Sequence, residues 1–332
     1  MNATADFSWY KLINIKGLGP KSLLLIYRAL AQKSISIEDI FQLNERDFYS
    51  TFSEFGKGKF SRVKFENFHN LDEEKLYNSF EELQEKNVKI VPIQDEVYPK
   101  LIKQRLKVNS PPLLYCKGLL SLLNSKSISI VGSRSADDFT LMLTRSIASS
   151  LANEGYNIVS GYAKGVDTNA HLGALEADGT TSVVLPLGIK HLSIKKNFKE
   201  FNWEKNTLFI SQFLPFEKWK ARNAMARNKI VTALSDAVIV ITSGLERDDK
   251  GRMSGTFDAG KSSLEMNIPV FVLSPTLFSD APKGNEDLIR LGAIEIKSGE
   301  DILSHLMNAK KNGFSHLTNS NQLKPNQLSL NL

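Results

Sequence analysis

Residues 127–175 read SISIVGSRSADDFTLMLTRSIASSLANEGYNIVSGYAKGVDTNAHLGAL, and no other stretch limits the fold as much. The run 127–131 is short, apolar and β-branched, and it stops at Gly132. A strand buried on both faces of a parallel sheet has that pattern. Gly132, Ser133 and Arg134 then turn the chain. Apolar residues recur at helical spacing over 141–151 and end before Gly155, an expected C-cap. Residues 156–160 repeat the strand pattern, 161–165 form a second glycine turn, and Asp167 stands where a helix N-cap is expected. Two strand–turn–helix units in succession make right-handed crossovers, with both turns at one sheet edge. Ligands of open α/β sheets bind there, outside the carboxyl ends of the strands.

The two turns carry chemistry suited to phosphate. Gly132, Gly161 and Gly165 allow close approach to the backbone, alongside Ser133 and Ala163, and helix N-termini present free N–H groups and a positive dipole end. Arg134 and Lys164 add full charges. Gly132 is followed by Ser-Arg-Ser, so the dinucleotide fingerprint G-x-G-x-x-G is missing, and so is G-x-x-x-x-G-K-[ST]. Either turn alone reads equally well as an ordinary βα turn of a Rossmann-like sheet.

I-V-G-S-R at 130–134 and I-V-S-G-Y-A-K-G-V-D-T-N-A-H-L-G-A-L at 158–175 resemble the DNA-processing protein A family (DprA, or Smf). Further matches follow in order: R-N-K-I-V-T-A-L-S-D from Arg227, Asn228 and Lys229 onward, M-S-G-T ending in Ser254, Gly255 and Thr256, and G-N-E-D-L-I-R-L-G-A at 284–293. The resemblance spans roughly 88–293. It implies an α/β fold, an extended Rossmann-like and mostly parallel sheet with helices on both faces, preceded by a small all-helical domain. It also implies binding of single-stranded DNA, loading of the recombinase RecA and a homodimer. DNA contacts are then expected at Gly132, Ser133, Arg134, Gly161, Ala163, Lys164, Gly165, Arg227, Asn228, Lys229, Ser254, Gly255 and Thr256. The domains expected are 1–70 (helical), 71–309 (core) and 310–332 (tail). The tail is too short for the winged helix that many members carry. In the loop after Gly188, the family's aspartate, tyrosine and proline are replaced, and Lys190, His191, Lys195 and Lys196 make it basic.

The whole chain is consistent with this reading. It has 332 residues, 42% hydrophobic and 23% charged, as in ordinary globular proteins, with a formal net charge of +6 that permits nucleic-acid binding. Its 1 cysteine, Cys116, excludes an internal disulfide and points to a reducing compartment. The first residues lack an apolar signal core and no apolar run is long enough to span a bilayer, so a cytoplasmic location and no membrane partner are expected.

At the N-terminus, Lys16, Gly17, Gly19 and Lys21 sit between two amphipathic helices, over 7–13 and 23–31, and resemble a DNA-binding helix-hairpin-helix. A plain connection between helices is the other reading. A poorer copy lies at 55–59, before an expected helix over 60–68. No catalytic set is evident. Asp167 and His171 are four apart on one helix, but an N-cap and a polar edge residue explain them better. Neither metal nor cofactor is expected, since one cysteine and 5 histidines without H-x-x-x-H spacing suit no zinc site. A nucleotide hydrolase or nucleotide-binding sensor of the wider Rossmann superfamily, or a role in defence against foreign DNA, is the alternative function. At the chain end, Gln327, Leu328, Leu330 and Leu332 resemble the peptide that docks on the DNA polymerase sliding clamp.

Overall fold

The computed structural model of the chain describes residues 3–312. The strands are β1 (Val88–Pro92), β2 (Leu113–Gly118), β3 (Ser127–Val131), β4 (Asn157–Ser160), β5 (Thr181–Val184), β6 (Thr207–Ser211), β7 (Ala237–Val240), β8 (Val270–Leu273) and β9 (Ile294–Ile296). The chain forms two units, one of the described part of Met1–Ser125 with Ser182–Arg227, the other of Lys126–Thr181 with the described part of Asn228–Leu332. In the first, β1 pairs antiparallel with β2 and β2 antiparallel with β6. In the second, the order is β4–β3–β7–β8–β9 and every pair is parallel. The expected α/β class with mostly parallel strands is therefore what the chain adopts. No helix among the described residues is long and apolar enough to cross a membrane.

The strands of the second unit have the composition that their burial requires. β3, β4, β7 and β8 are buried along their whole length, as strands covered on both faces must be. Ile128, Ile130, Ile158, Ile239 and Phe271 are fully buried with Ile147, Leu151, Ile302 and Leu306 from helices. Each such side chain contributes about 1.5–3 kcal/mol on burial. The chain goes from β3 to β4 on one side and later returns to β7 on the other. The reversal leaves a crevice between the carboxyl ends of β3 and β7, the topological switch point.

Several expectations shift. The helix after β3 is Asp138–Asn153 and is capped by Asp137, whose carboxylate accepts from Thr140 N at 2.8 Å. The carboxylate occupies the anion-seeking end of that helix, which lies past the Gly132 turn. No helix covers 60–68. A 3-10 turn at Gly58–Phe60 and a short helix at Glu66–His69 stand instead. The phenylalanines there meet Phe48 and Phe55 edge-on or tilted, so ring packing sets the local backbone. β9 and the helix Gly299–Asn312 were not expected. Ile302 and Leu306 seat that helix in the core, and Asp301 accepts from Lys297 N and Ser298 N at its start.

In the first unit, helices Ala3–Ile13 and Pro20–Lys33 flank the N-terminal hairpin. Gly17 has φ +92°, a conformation that favours glycine, and a Cβ there would lie a tight 3.1 Å from Arg62 O. Gly19 is the N-cap of Pro20–Lys33, has no side-chain cap, and has nothing within 4 Å of an added Cβ. Lys16 and Lys21 are exposed.

Candidate nucleic-acid interface

Three turns of the second unit lock together at the carboxyl edge of its sheet. Gly132 carries no Cβ because one would lie 2.6 Å from Val166 Cγ2, in the first turn of the helix Val166–Glu176. Gly165 has φ +74°, and its absent Cβ would lie 2.4 Å from Ser133 O and 2.8 Å from Arg134 O. Val166 N donates to Ser133 O at 3.1 Å. The first two turns are thus in direct backbone contact, and their glycines make that contact possible. The third joins through Thr256, whose Oγ1 donates to Gly132 O at 3.2 Å, and through Asn228, whose Nδ2 donates to Gly255 O at 3.0 Å. Across the switch-point crevice, Ser133 N donates to Thr242 Oγ1 at 3.4 Å.

The small hydroxyls of the motifs are occupied within this scaffold. Ser133 Oγ accepts from Ser135 N, and Ser254 Oγ caps the helix Gly255–Glu265 by accepting from Phe257 N. The cations are different. Arg134, Lys164 and Lys229 are exposed, and none has an ion-pair partner among the described residues. Arg134 and Lys164 flank the Gly165 contact, so one rigid junction carries both charges. Arg227 is 4% exposed, so its guanidinium is held inside the protein.

Asp167 is not the N-cap. Gly165 is, and Asp167 lies in the first turn, buried, where its Oδ2 accepts from Ala163 N at 3.3 Å. The Ala163 carbonyl accepts from Thr168 Oγ1 at 2.5 Å and the Gly165 carbonyl from Asn169 Nδ2 at 2.9 Å. His171 is fully buried, not at an edge. Its Nε2 lies 2.6 Å from Gly161 O and its Nδ1 2.6 Å from Thr181 Oγ1, ligating the turn to the start of β5.

The sequence assigned no role to three residues that support the edge. Asn285 is fully buried. Its Oδ1 accepts from Ser243 N at 2.8 Å, and its Nδ2 donates to Ile241 O and Leu273 O at 2.9 Å each. It ties the carboxyl ends of β7 and β8. Arg145 reaches Asn169 Oδ1 and Glu176 Oε1 from the preceding helix. Gly173 lets these two helices touch, since a Cβ would sit 2.4 Å from Arg145 O. A G-N pair after a strand and a glycine inside a helix were the available signals. Among the described residues no cluster of His, Cys, Asp and Glu could hold a metal ion.

A family model for DNA recombination-mediator protein A matches residues 89–307. The chain belongs to that family. The DNA processing protein DprA of Bacillus subtilis is 30% identical over 225 residues, 67% of this chain and 72% of that protein. Protein Smf of Borreliella burgdorferi is 27% identical over 301 residues, 90% of this chain and 87% of that protein. The X-ray structure of DNA processing protein A from Streptococcus pneumoniae is similar with a TM-score of 0.73 at 25% identity, covering 90% of this chain and 97% of that one. Helicobacter pylori DNA processing protein A, a structure that concerns a single-stranded DNA binding mode, is similar with a TM-score of 0.56 at 27% identity, over 67% of this chain and 96% of that one. This recombination-mediator membership accounts for the ordered motifs. The clamp-like residues Gln327, Leu328, Leu330 and Leu332 lie outside the described residues.

Proposed function

We propose that this chain binds the backbone of single-stranded DNA at the locked turns of its second unit and presents the strand to RecA as a homodimer. The observation that carries the reading is the pair Arg134 and Lys164, exposed and without counter-charges on either side of a rigid backbone junction at the switch point. Phosphate is the ligand that such a junction suits, and it is the repeating unit of every strand. Lys229 extends the positive edge. The likeness to a relative whose structure concerns single-stranded DNA binding supports the choice of ligand.

The test compares oligo-dT, the matching duplex and free nucleotides on the intact protein. Preference for oligo-dT, lost in Arg134→Ala, is the expected result. Equal binding of duplex removes the preference for single strands, and tight binding of a nucleotide replaces this reading by a sensor, or by a hydrolase where free base is released. The hairpin at Lys16, Gly17, Gly19 and Lys21 is a second proposed contact. A Cβ added at Gly19 meets nothing within 4 Å, so Gly19→Leu, with its melting temperature measured beside its DNA affinity, separates lost DNA contact from lost folding. The terminal peptide is a proposed tether to the sliding clamp, testable as roughly micromolar binding of residues 325–332.

A further inference from the structure

The basic loop after Gly188, where this sequence leaves the family pattern, builds a cavity in the first unit. Gly188 packs so closely that a Cβ would lie 2.1 Å from Leu214 O, and Gly188 N donates to Glu217 O at 2.8 Å. Lys190 N donates to Pro215 O at 3.1 Å, and the 3-10 turn Ile189–His191 follows. The Lys190 side chain is 7% exposed, not a solvated surface lysine. Its Nζ lies 4.1 Å from the Phe216 ring centre and pairs with Glu82. So held, the loop walls a cavity of about 210 Å³, lined by Ile189, Leu192, Ile194, Val88, Trp203 and three lysines, Lys86, Lys117 and Lys190.

The charge on this wall is unbalanced. Glu82 is the anion for both Lys86 and Lys190. Lys117, half-buried opposite Val88 in the β1–β2 pair, has no ion-pair partner among the described residues. Three cations thus face one carboxylate at an apolar concavity, where low-dielectric walls focus the field on an incoming anion. The volume is below the roughly 300–1,000 Å³ of sites that enclose drug-sized ligands. It suits a single ring with its anionic group at the rim.

We infer that this cavity takes a nucleoside monophosphate unit, its base against Trp203 and the aliphatic wall and its phosphate at Lys117 and Lys86. The site is separate in sequence from the turns proposed to hold the DNA backbone, and its test does not depend on them. The intact protein is titrated with dTMP, thymidine, inorganic phosphate, octanoate, and 5′-phosphorylated and 5′-hydroxyl oligo-dT, read by calorimetry and tryptophan fluorescence. The expected result is that dTMP binds better than thymidine, phosphate or octanoate and quenches fluorescence. The quench should disappear in Trp203→Phe. Lys117→Gln, at a half-exposed position, should weaken dTMP about tenfold, the order expected from one charged hydrogen bond. It should leave the affinity for 5′-hydroxyl oligo-dT unchanged, which also shows that the variant folds. Competition by the 5′-phosphorylated strand alone would assign the nucleotide to a strand end, and its absence to the free pool. Octanoate or inorganic phosphate binding as well as dTMP, an unaffected Lys117→Gln, or loss of dTMP binding in Arg134→Ala overturns the inference.

Discussion

Replacing Gly165 by alanine tests the locked turns most sharply. The backbone there has φ +74° and ψ −130°, a region that L-residues avoid at a cost of about 1–3 kcal/mol. The new Cβ would also lie 2.4 Å from Ser133 O and 2.8 Å from Arg134 O. Backbone is not a flexible neighbour, so relieving the overlap requires the two turns to part, at a cost of about 1–3 kcal/mol. Together these give about 2–6 kcal/mol, with a midpoint near 4. Gly155→Ala is the control, because it has φ +78° but nothing within 4 Å of the added Cβ. It should lose only the conformational share, about 1–2 kcal/mol. Thermal unfolding of both variants reads the difference, which at about 2–4 °C per kcal/mol makes Gly165→Ala the lower-melting by roughly 4–10 °C. Equal melting temperatures would refute the claim that the turns are in backbone contact.

Other perturbations have equally definite outcomes. Asn285→Ala strands Ser243 N and the carbonyls of Ile241 and Leu273, so urea denaturation should show a loss of about 3–5 kcal/mol; a loss under about 1 kcal/mol would contradict the bracing role. Asp6 is pushed up to about 6, first by burial and then by the nearby Asp95 carboxylate. Its folded pKa lies above the unfolded one, so stability falls as pH rises from the usual aspartate range through about 6. Asp6→Asn should therefore gain about 1–2 kcal/mol at pH 7, after allowing for solvent screening, and nothing near pH 3; a gain that does not change with pH would sink this. Cys116 is fully buried and burial raises its thiol pKa, so a thiol reagent should label it only as the protein unfolds, and fast labelling of the native protein would contradict that burial.

β3 and β4 were legible as strands because each is a short, mostly apolar run that ends at a glycine turn. The motif cations were legible for the same reason, since charges at the ends of such runs have to lie at the sheet edge. The partners inside the edge were not. Nothing in the sequence says that Gly132 meets Val166, or that Thr256 reaches a carbonyl more than a hundred residues earlier. These contacts exist only once the sheet has formed. The histidine is the instructive case. A polar residue four after Asp167 reads as an edge group, but the small residues around it, Ala170, Gly173 and Ala174, let the helix pack closely and bury it. Arg227 was misleading in the same way, a cation in a motif that the fold keeps inside. The final helix had a cue in Ser298-Gly-Glu-Asp301, an N-terminal capping pattern ahead of Ile302 and Leu306.

The most direct measurement of the central claim is the salt dependence of oligo-dT binding for the intact protein and for Arg134→Ala/Lys164→Ala. Each phosphate neutralised on a single strand contributes about 0.7 log units of affinity per tenfold change in salt. Two exposed cations at one junction predict a slope shallower by about 1.4 in the double variant, with melting unchanged because neither side chain has a partner to lose. A slope equal to that of the unaltered protein would show that the DNA backbone does not lie on these turns.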